Sequence, residues 1–228
     1  MTKIGILATG HSPDALINDL GDYDALFKKL LGSYDFEFET FAVVDGIFPN
    51  GPDAADGWLI TGSKHGAYEP HDWIPPLEDL IRKIHHDKRP LVGICFGHQI
   101  IAQALGGRVE KFGGGWSVGL TDYEIDGQTY SLNAWHQDQV IALPTDAQVI
   151  GRSDFCANAV LSYGDHILTF QPHPEFDASF TKGLIDHRGQ GVVPDDLLNS
   201  AKSRLQEQAA QPEMAERIAR HFQQEKRT

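Results

Sequence analysis

An α/β fold is expected for this chain: a three-layer open sheet, mostly parallel with antiparallel additions, followed by C-terminal helices. Three observations predict it. Short apolar runs closed by glycine alternate with amphipathic stretches through the first 105 residues, the pattern of a parallel sheet covered on both faces. Residues 113–170 then lose helical periodicity and become rich in Gly, Asp and β-forming residues. After Pro174 the helical pattern returns.

The elements follow in order. Residues 3–8 (KIGILA) are a short apolar run closed by Thr9-Gly10, which reads as a buried strand. Between residues 14 and 31, Leu16, Ile17, Leu20, Leu26, Phe27, Leu30 and Leu31 mark helix, and Gly21-Asp22 interrupts it, giving one broken helix or two short ones. Residues 36–44 (FEFETFAVV) alternate aromatic and acidic side chains with the period of a strand. Residues 58–61 form another strand, ending at Gly62. Residues 73–86 carry Pro75-Pro76 near the start and Leu77, Leu80, Ile81 and Ile84 at helical spacing. Residues 90–94 (PLVGI) read as a buried strand, and 99–105 (QIIAQAL) as a helix stopped by Gly106-Gly107. Several shorter, partly antiparallel strands are expected within 113–170, the last at 166–170 (HILTF). Helices are expected near 176–188, 195–208 and 213–224.

Composition narrows the function classes. The 228 residues are 41% hydrophobic and 22% charged, an ordinary globular balance and enough for one substantial core. Lys plus Arg is 19 and Asp plus Glu is 32, a net charge of −13. Such a surface repels phosphate backbones and anionic lipid, so neither nucleic acid nor a membrane is an expected partner. No window approaches the roughly 20 apolar residues of a membrane-spanning helix, and the first residues do not read as a secretion signal. The cytoplasm is the expected location. Two cysteines, Cys95 and Cys156, make no disulfide framework.

The most informative stretch is Gly93-Ile94-Cys95-Phe96-Gly97-His98-Gln99. A buried strand ends, Gly-x-Cys-x-Gly follows, and a helix starts at once, the form of a nucleophile elbow with cysteine in place of serine. A sharp strand-to-helix turn strains the nucleophile, and only small residues two positions away let the backbone pack that closely. The sulfur then sits at a helix N-terminus, where unpaired N–H groups and the helix dipole favour the thiolate. The N–H of Phe96 points where an oxyanion would form. Cys156 has no glycine frame and reads as a small buried hydrophobe.

A thiol nucleophile needs a base, and the base an orienting group. His173-Pro174-Glu175 follows the strand ending at Phe170. Residues i and i+2 of an extended segment face the same way, about 6.6 Å apart, and Pro174 biases His173 towards extended backbone. Glu175 can then hold the imidazole in one tautomer. Both Cys95 and His173 follow strand ends, where parallel α/β sheets gather their functional groups. His65, His71, His85, His86 and His187 read as surface residues. No His-x-x-x-His or Cys-x-x-Cys spacing occurs, so no metal is expected.

The elbow together with His173-Pro174-Glu175 resembles the class I (triad-type) glutamine amidotransferase family. Leu59-Ile60-Thr61-Gly62-Ser63 resembles its oxyanion loop. Gly113-Gly114-Gly115-Trp116-Ser117-Val118-Gly119 and Ala134-Trp135-His136-Gln137-Asp138 resemble its glycine-rich and substrate-contacting loops. Within the family the chain is similar to stand-alone domains like the glutaminase part of GMP synthase and to γ-glutamyl peptidases. The resemblance implies a flavodoxin-like sheet. It also implies one domain over 1–228, with a catalytic core of about 1–185 and a helical tail over 186–228.

The resemblance further implies that Cys95 attacks a γ-amide to form a γ-glutamyl thioester, that His173 moves the protons, and that Glu175 orients His173. The N–H groups of Phe96 and of Ser63, or its neighbour Gly62, would stabilise the oxyanion; Gln99 and Trp135, His136 and Gln137 would grip the substrate. No cofactor is implied. One departure is Gly62-Ser63-Lys64, where many members carry Gly-Gly-Pro. Three functions stay open. The first is a glutaminase-type amidotransferase releasing ammonia, partnered by a separate ammonia-accepting synthetase subunit. The second is a γ-glutamyl hydrolase or peptidase acting on other γ-glutamyl amides. The third is a non-catalytic binding module of the same fold.

Overall fold

The computed structural model describes residues 1–224; the last four residues of the expected helical tail, 225–228, lie outside the described residues. The chain begins β1 (Thr2–Leu7), α1 (Asp14–Leu20), α2 (Tyr23–Leu30), β2 (Phe36–Phe41), β3 (Gly57–Ile60), α3 (Ile74–His86), β4 (Leu91–Ile94) and α4 (Phe96–Ala104). It continues with β5 (Arg108–Lys111), β6 (Ser117–Ile125), β7 (Gln128–His136), β8 (Asp138–Ala142), β9 (Ala147–Arg152), β10 (Val160–Tyr163) and β11 (Ile167–Phe170). It closes with α5 (Ala178–Leu184), α6 (Asp195–Ser203) and α7 (Gln211–Gln223).

One sheet runs in the order β2-β1-β3-β4-β11-β10-β9-β6-β7. The pairs from β2 to β11 are parallel. Those from β11 to β7 are antiparallel. A small second sheet pairs β5 with β8. The expected α/β sheet is therefore present as a parallel half extended by an antiparallel half.

Strand alternation makes the layers. Ile4, Ile6, Leu59, Val92, Ile94, Leu168 and Phe170 enter one core with Phe27 of α2 and Ile218 and Phe222 of α7. Leu7, Trp58, Ile60, Leu91 and Ile167 enter the other, with Leu77, Ile81 and Ile84 of α3 and Ile100 and Ile101 of α4. Strands buried on both faces read as continuous apolar runs, which is why β1, β3, β4 and β11 are legible in the sequence. No helix among the described residues is long and apolar enough to cross a membrane.

Several boundaries differ from expectation for local reasons. The helix expected from residue 99 starts at Phe96, directly after the cysteine. The strand expected over 36–44 stops at Phe41, because Val43–Asp45 form a tight helical turn closed by Gly46 at φ 81°. The helix expected over 176–188 ends at Leu184 and passes into a wider π-type turn, Ile185–Gly189. The interrupted stretch over 14–31 is two helices; the Asp22 carboxylate caps the second by accepting from the Tyr23 N–H.

Candidate active site

Cys95 joins β4 to α4 with φ 54° and ψ −102°, a backbone region rarely open to a non-glycine residue. The two glycines of the motif make this turn possible. A Cβ on Gly93 would stand 2.6 Å from the Gly97 carbonyl oxygen, and one on Gly97 would stand 2.4 Å from the Ile60 carbonyl oxygen. The Cys95 N–H donates to the Phe170 carbonyl at 2.8 Å, tying the elbow to β11. Phe96 opens α4, and N–H groups of a first helical turn have no partner within the helix.

β11 lies beside β4 with Phe170 opposite Ile94, so the segment after it arrives at the elbow. The His173 Nδ1–H donates to Glu175 Oε1 at 2.7 Å, and both side chains are nearly inaccessible, 5% and 1% exposed. Phe176 stacks on the imidazole at 3.9 Å and 5°. Asn133 of β7 pins this segment twice: its carbonyl accepts the His173 N–H at 2.8 Å, and its side-chain amide donates to the Phe176 carbonyl at 2.9 Å. Burial by itself would lower the proton affinity of His173. The Glu175 carboxylate and the neighbouring Cys95 side chain outweigh it and raise the pKa well above the ordinary imidazole value. The imidazole is thus hydrogen-bonded to the Glu175 carboxylate and lies near Cys95.

The loop after β3 completes the surroundings. A Cβ on Gly62 would meet His173 Cε1 at 3.0 Å and the Cys95 Cβ at 3.7 Å, so this glycine lies against the pair. Thr9 holds the loop: its N–H donates to Thr61 Oγ1 at 3.0 Å, and its hydroxyl contacts the carbonyls of Thr61 and Gly62 at 2.9 and 3.1 Å. Cys95, Ser63 and His173 open on a cavity of about 320 Å³. That volume lies at the lower end of the range for small-molecule sites, roughly 300–1,000 Å³.

A sequence profile for class I glutamine amidotransferases matches residues 43–185. The chain belongs to that family. It is 32% identical over 224 residues to γ-glutamyl peptidase 2 of Arabidopsis thaliana, covering 91% of this chain and 90% of that one. It is 29% identical to one subunit of the glutamine-hydrolyzing GMP synthase of Methanopyrus kandleri, covering 82% of this chain and 96% of that one. In fold it matches the crystal structure of a glutamine amidotransferase from Methylobacillus flagellatus, with a TM-score of 0.73 at 21% identity over 97% and 91% of the two chains.

Within this amidotransferase-family chain, Ser63, Gln99, Trp135, His136 and Gln137 line the same cavity as Cys95 and His173. Gly62 lies against the Cys95 Cβ, Phe96 follows Cys95 at the start of α4, and Glu175 is hydrogen-bonded to the imidazole. The Gln99 amide already donates to the Asp138 carbonyl at 2.9 Å and to Gln171 Oε1 at 3.1 Å, so it braces the wall. His136 is buried, and burial drives its pKa down to about 3, so it presents a neutral ring.

The sequence reading missed four contributors. Thr9 and Asn133 act by hydrogen-bonding the segments beside the site and carry no motif. Tyr23 and Arg188 line the cavity from α2 and from the π-type turn. Among the described residues the Arg188 guanidinium meets the Tyr23 hydroxyl at 3.4 Å and pairs with no carboxylate. The one available signal was an arginine in a chain of net charge −13 with no acidic residue at i±4. Arg188, Val192 and Val193 belong to the stretch read as a tail, which thus supplies part of the cavity wall.

Proposed function

We propose that this protein hydrolyses γ-glutamyl amides through a cysteine thioester, with residues 1–185 as the catalytic core and the following helices closing the substrate cavity. The observation that carries the reading is the strained Cys95 turn set against a buried His173–Glu175 pair at 2.7 Å inside a cavity. In this reading the Cys95 sulfur attacks the γ-carbonyl carbon and its proton passes to His173. The tetrahedral oxyanion is held by the N–H of Phe96 and that of Ser63 or Gly62, each donor lowering the barrier by about 3 kcal/mol. Collapse breaks the C–N bond, and His173 protonates the departing amine. His173 then takes a proton from water, which attacks the thioester to free glutamate and restore the thiol.

Two features support an amine larger than ammonia. The relative that covers about nine-tenths of both chains is named a γ-glutamyl peptidase. The cavity also extends from the sulfur to Arg188, Trp116 and Val192, where a substrate carboxylate and an apolar portion find complementary partners. A panel of γ-glutamyl dipeptides, glutathione and glutamine tests it: kcat/KM on the peptides should exceed that on glutamine by at least tenfold. Faster ammonia release from glutamine than amine release from every peptide would overturn the peptidase reading. It would favour the second one, a glutaminase supplying a separate synthetase, which is supported by coverage of 96% of the GMP synthase relative.

A further inference from the structure

We infer that His65, Glu69 and His71 form a binding site for one divalent transition-metal ion of the zinc class at the rim of the cavity. This goes beyond the proposed reaction, in which the three take no part. One ligand atom from each lies within 4.8 Å of the other two. His65 Nδ1 stands 3.4 Å, and His71 Nε2 2.8 Å, from the same Glu69 oxygen. Tetrahedral zinc, with bonds of about 2.0–2.2 Å, sets neighbouring ligand atoms roughly 3.3 Å apart. The His65–Glu69 spacing already meets that, and His71 needs to withdraw by only about half an ångström.

The three side chains are held in this arrangement by their own short loop. The Glu69 N–H donates to the Gly66 carbonyl at 3.0 Å and the His71 N–H to the Glu69 carbonyl at 2.9 Å, folding residues 65–71 back on themselves. The two imidazoles meet edge to face at 4.2 Å, and His71 stacks on Trp73 at 5.8 Å and 12°. All three remain partly open to solvent, with side-chain exposures of 22%, 40% and 33%, so an ion can reach them. The ligand set, two imidazole nitrogens and one carboxylate, suits zinc, cobalt or nickel over magnesium or calcium. No i,i+4 histidine pair signals the site in the sequence, because a turn and not a helix brings the ligands together. His65 and Glu69 also line the cavity, so a bound ion adds positive charge at its rim.

Titration of the full chain with Co²⁺ and Zn²⁺, followed by calorimetry, by the visible spectrum of Co²⁺ and by thermal unfolding, tests the assignment. Wild type should take up one ion per chain and unfold at higher temperature when saturated. His71→Gln and Glu69→Gln should bind at least tenfold more weakly, with no metal-dependent rise in Tm and an unchanged Tm in metal-free buffer. Cys95→Ser should bind as wild type does, which separates this site from metal held by the reactive thiol. Absence of stoichiometric binding in wild type, or binding that survives His71→Gln and disappears in Cys95→Ser, overturns the inference. Neither result depends on which γ-glutamyl compound is hydrolysed.

Discussion

The turn around Cys95 and the turn around Cys156 both bury a thiol, 6% and 0% exposed, in the same core layer. The Cys156 N–H donates to Ser153 Oγ at 3.0 Å and its carbonyl accepts from the Ser153 N–H at 2.9 Å, an unstrained local turn. Burial pushes that thiol up to about 12. At Cys95 the backbone is at φ 54°, a helix begins at the next residue, and an imidazole with a raised pKa lies alongside. Backbone shape and the neighbouring imidazole set Cys95 apart, as the proposed mechanism requires, and depth of burial does not distinguish the two sulfurs.

Substitutions can break the contrast, beginning with the most severe. Cys95→Ala and His173→Ala should each reduce kcat by on the order of 10⁴-fold or more, since in the proposed mechanism they act as a unit of nucleophile and base. Steady-state turnover of a γ-glutamyl peptide measures this, and near-normal turnover in Cys95→Ala would remove the elbow from the mechanism. Glu175→Gln keeps the shape but withdraws the charge that holds the His173 proton; a loss of about 10²- to 10³-fold in kcat with little change in KM is expected.

Gly97→Ala tests the backbone side of the comparison. Its Cβ would stand 2.4 Å from the Ile60 carbonyl oxygen, so a stability loss of about 3 kcal/mol should appear in urea unfolding together with lost activity. Cys156→Ala is the opposite pole: turnover within about twofold of wild type and a stability cost of about 1 kcal/mol.

A milder test uses pH. Burial lowers the pKa of His98 from 6.5 to about 3, while the unfolded chain binds that proton near 6.5. Between these values the unfolded state holds the extra proton. Stability linked to His98 is whole above pH 6.5 and declines, by about 1.4 kcal/mol per pH unit, as pH falls toward about 3. His98→Gln should flatten the acid limb of a stability–pH curve, and an unchanged limb would show that other groups govern it. His173 has the opposite sign: its raised pKa contributes stability that is whole below pH 6.5 and lost as pH rises through the raised value.

The same contrast explains what could be read in advance. Buried parallel strands announce themselves as apolar runs, and the glycines at 93 and 97 announce the turn because backbone atoms crowd both positions. His173 and Glu175 were legible because two residues of one extended segment share a face. The antiparallel half was harder. β5 and β8 pair across residues 112–137 with one irregular step, and no local pattern encodes that partner choice. Thr9, Asn133 and Arg188 matter through where the chain brings them, so their residue types alone gave no notice.

The seam between β4 and β11 has a protective consequence. It joins segments separated by residues 95–166, and the bond from Cys95 to Phe170 forms only when that long excursion has returned. Contacts so distant along the chain carry the greatest loop-closure cost. Under the proposed mechanism, a nascent or partly unfolded chain therefore holds Cys95 without its base until the sheet is whole.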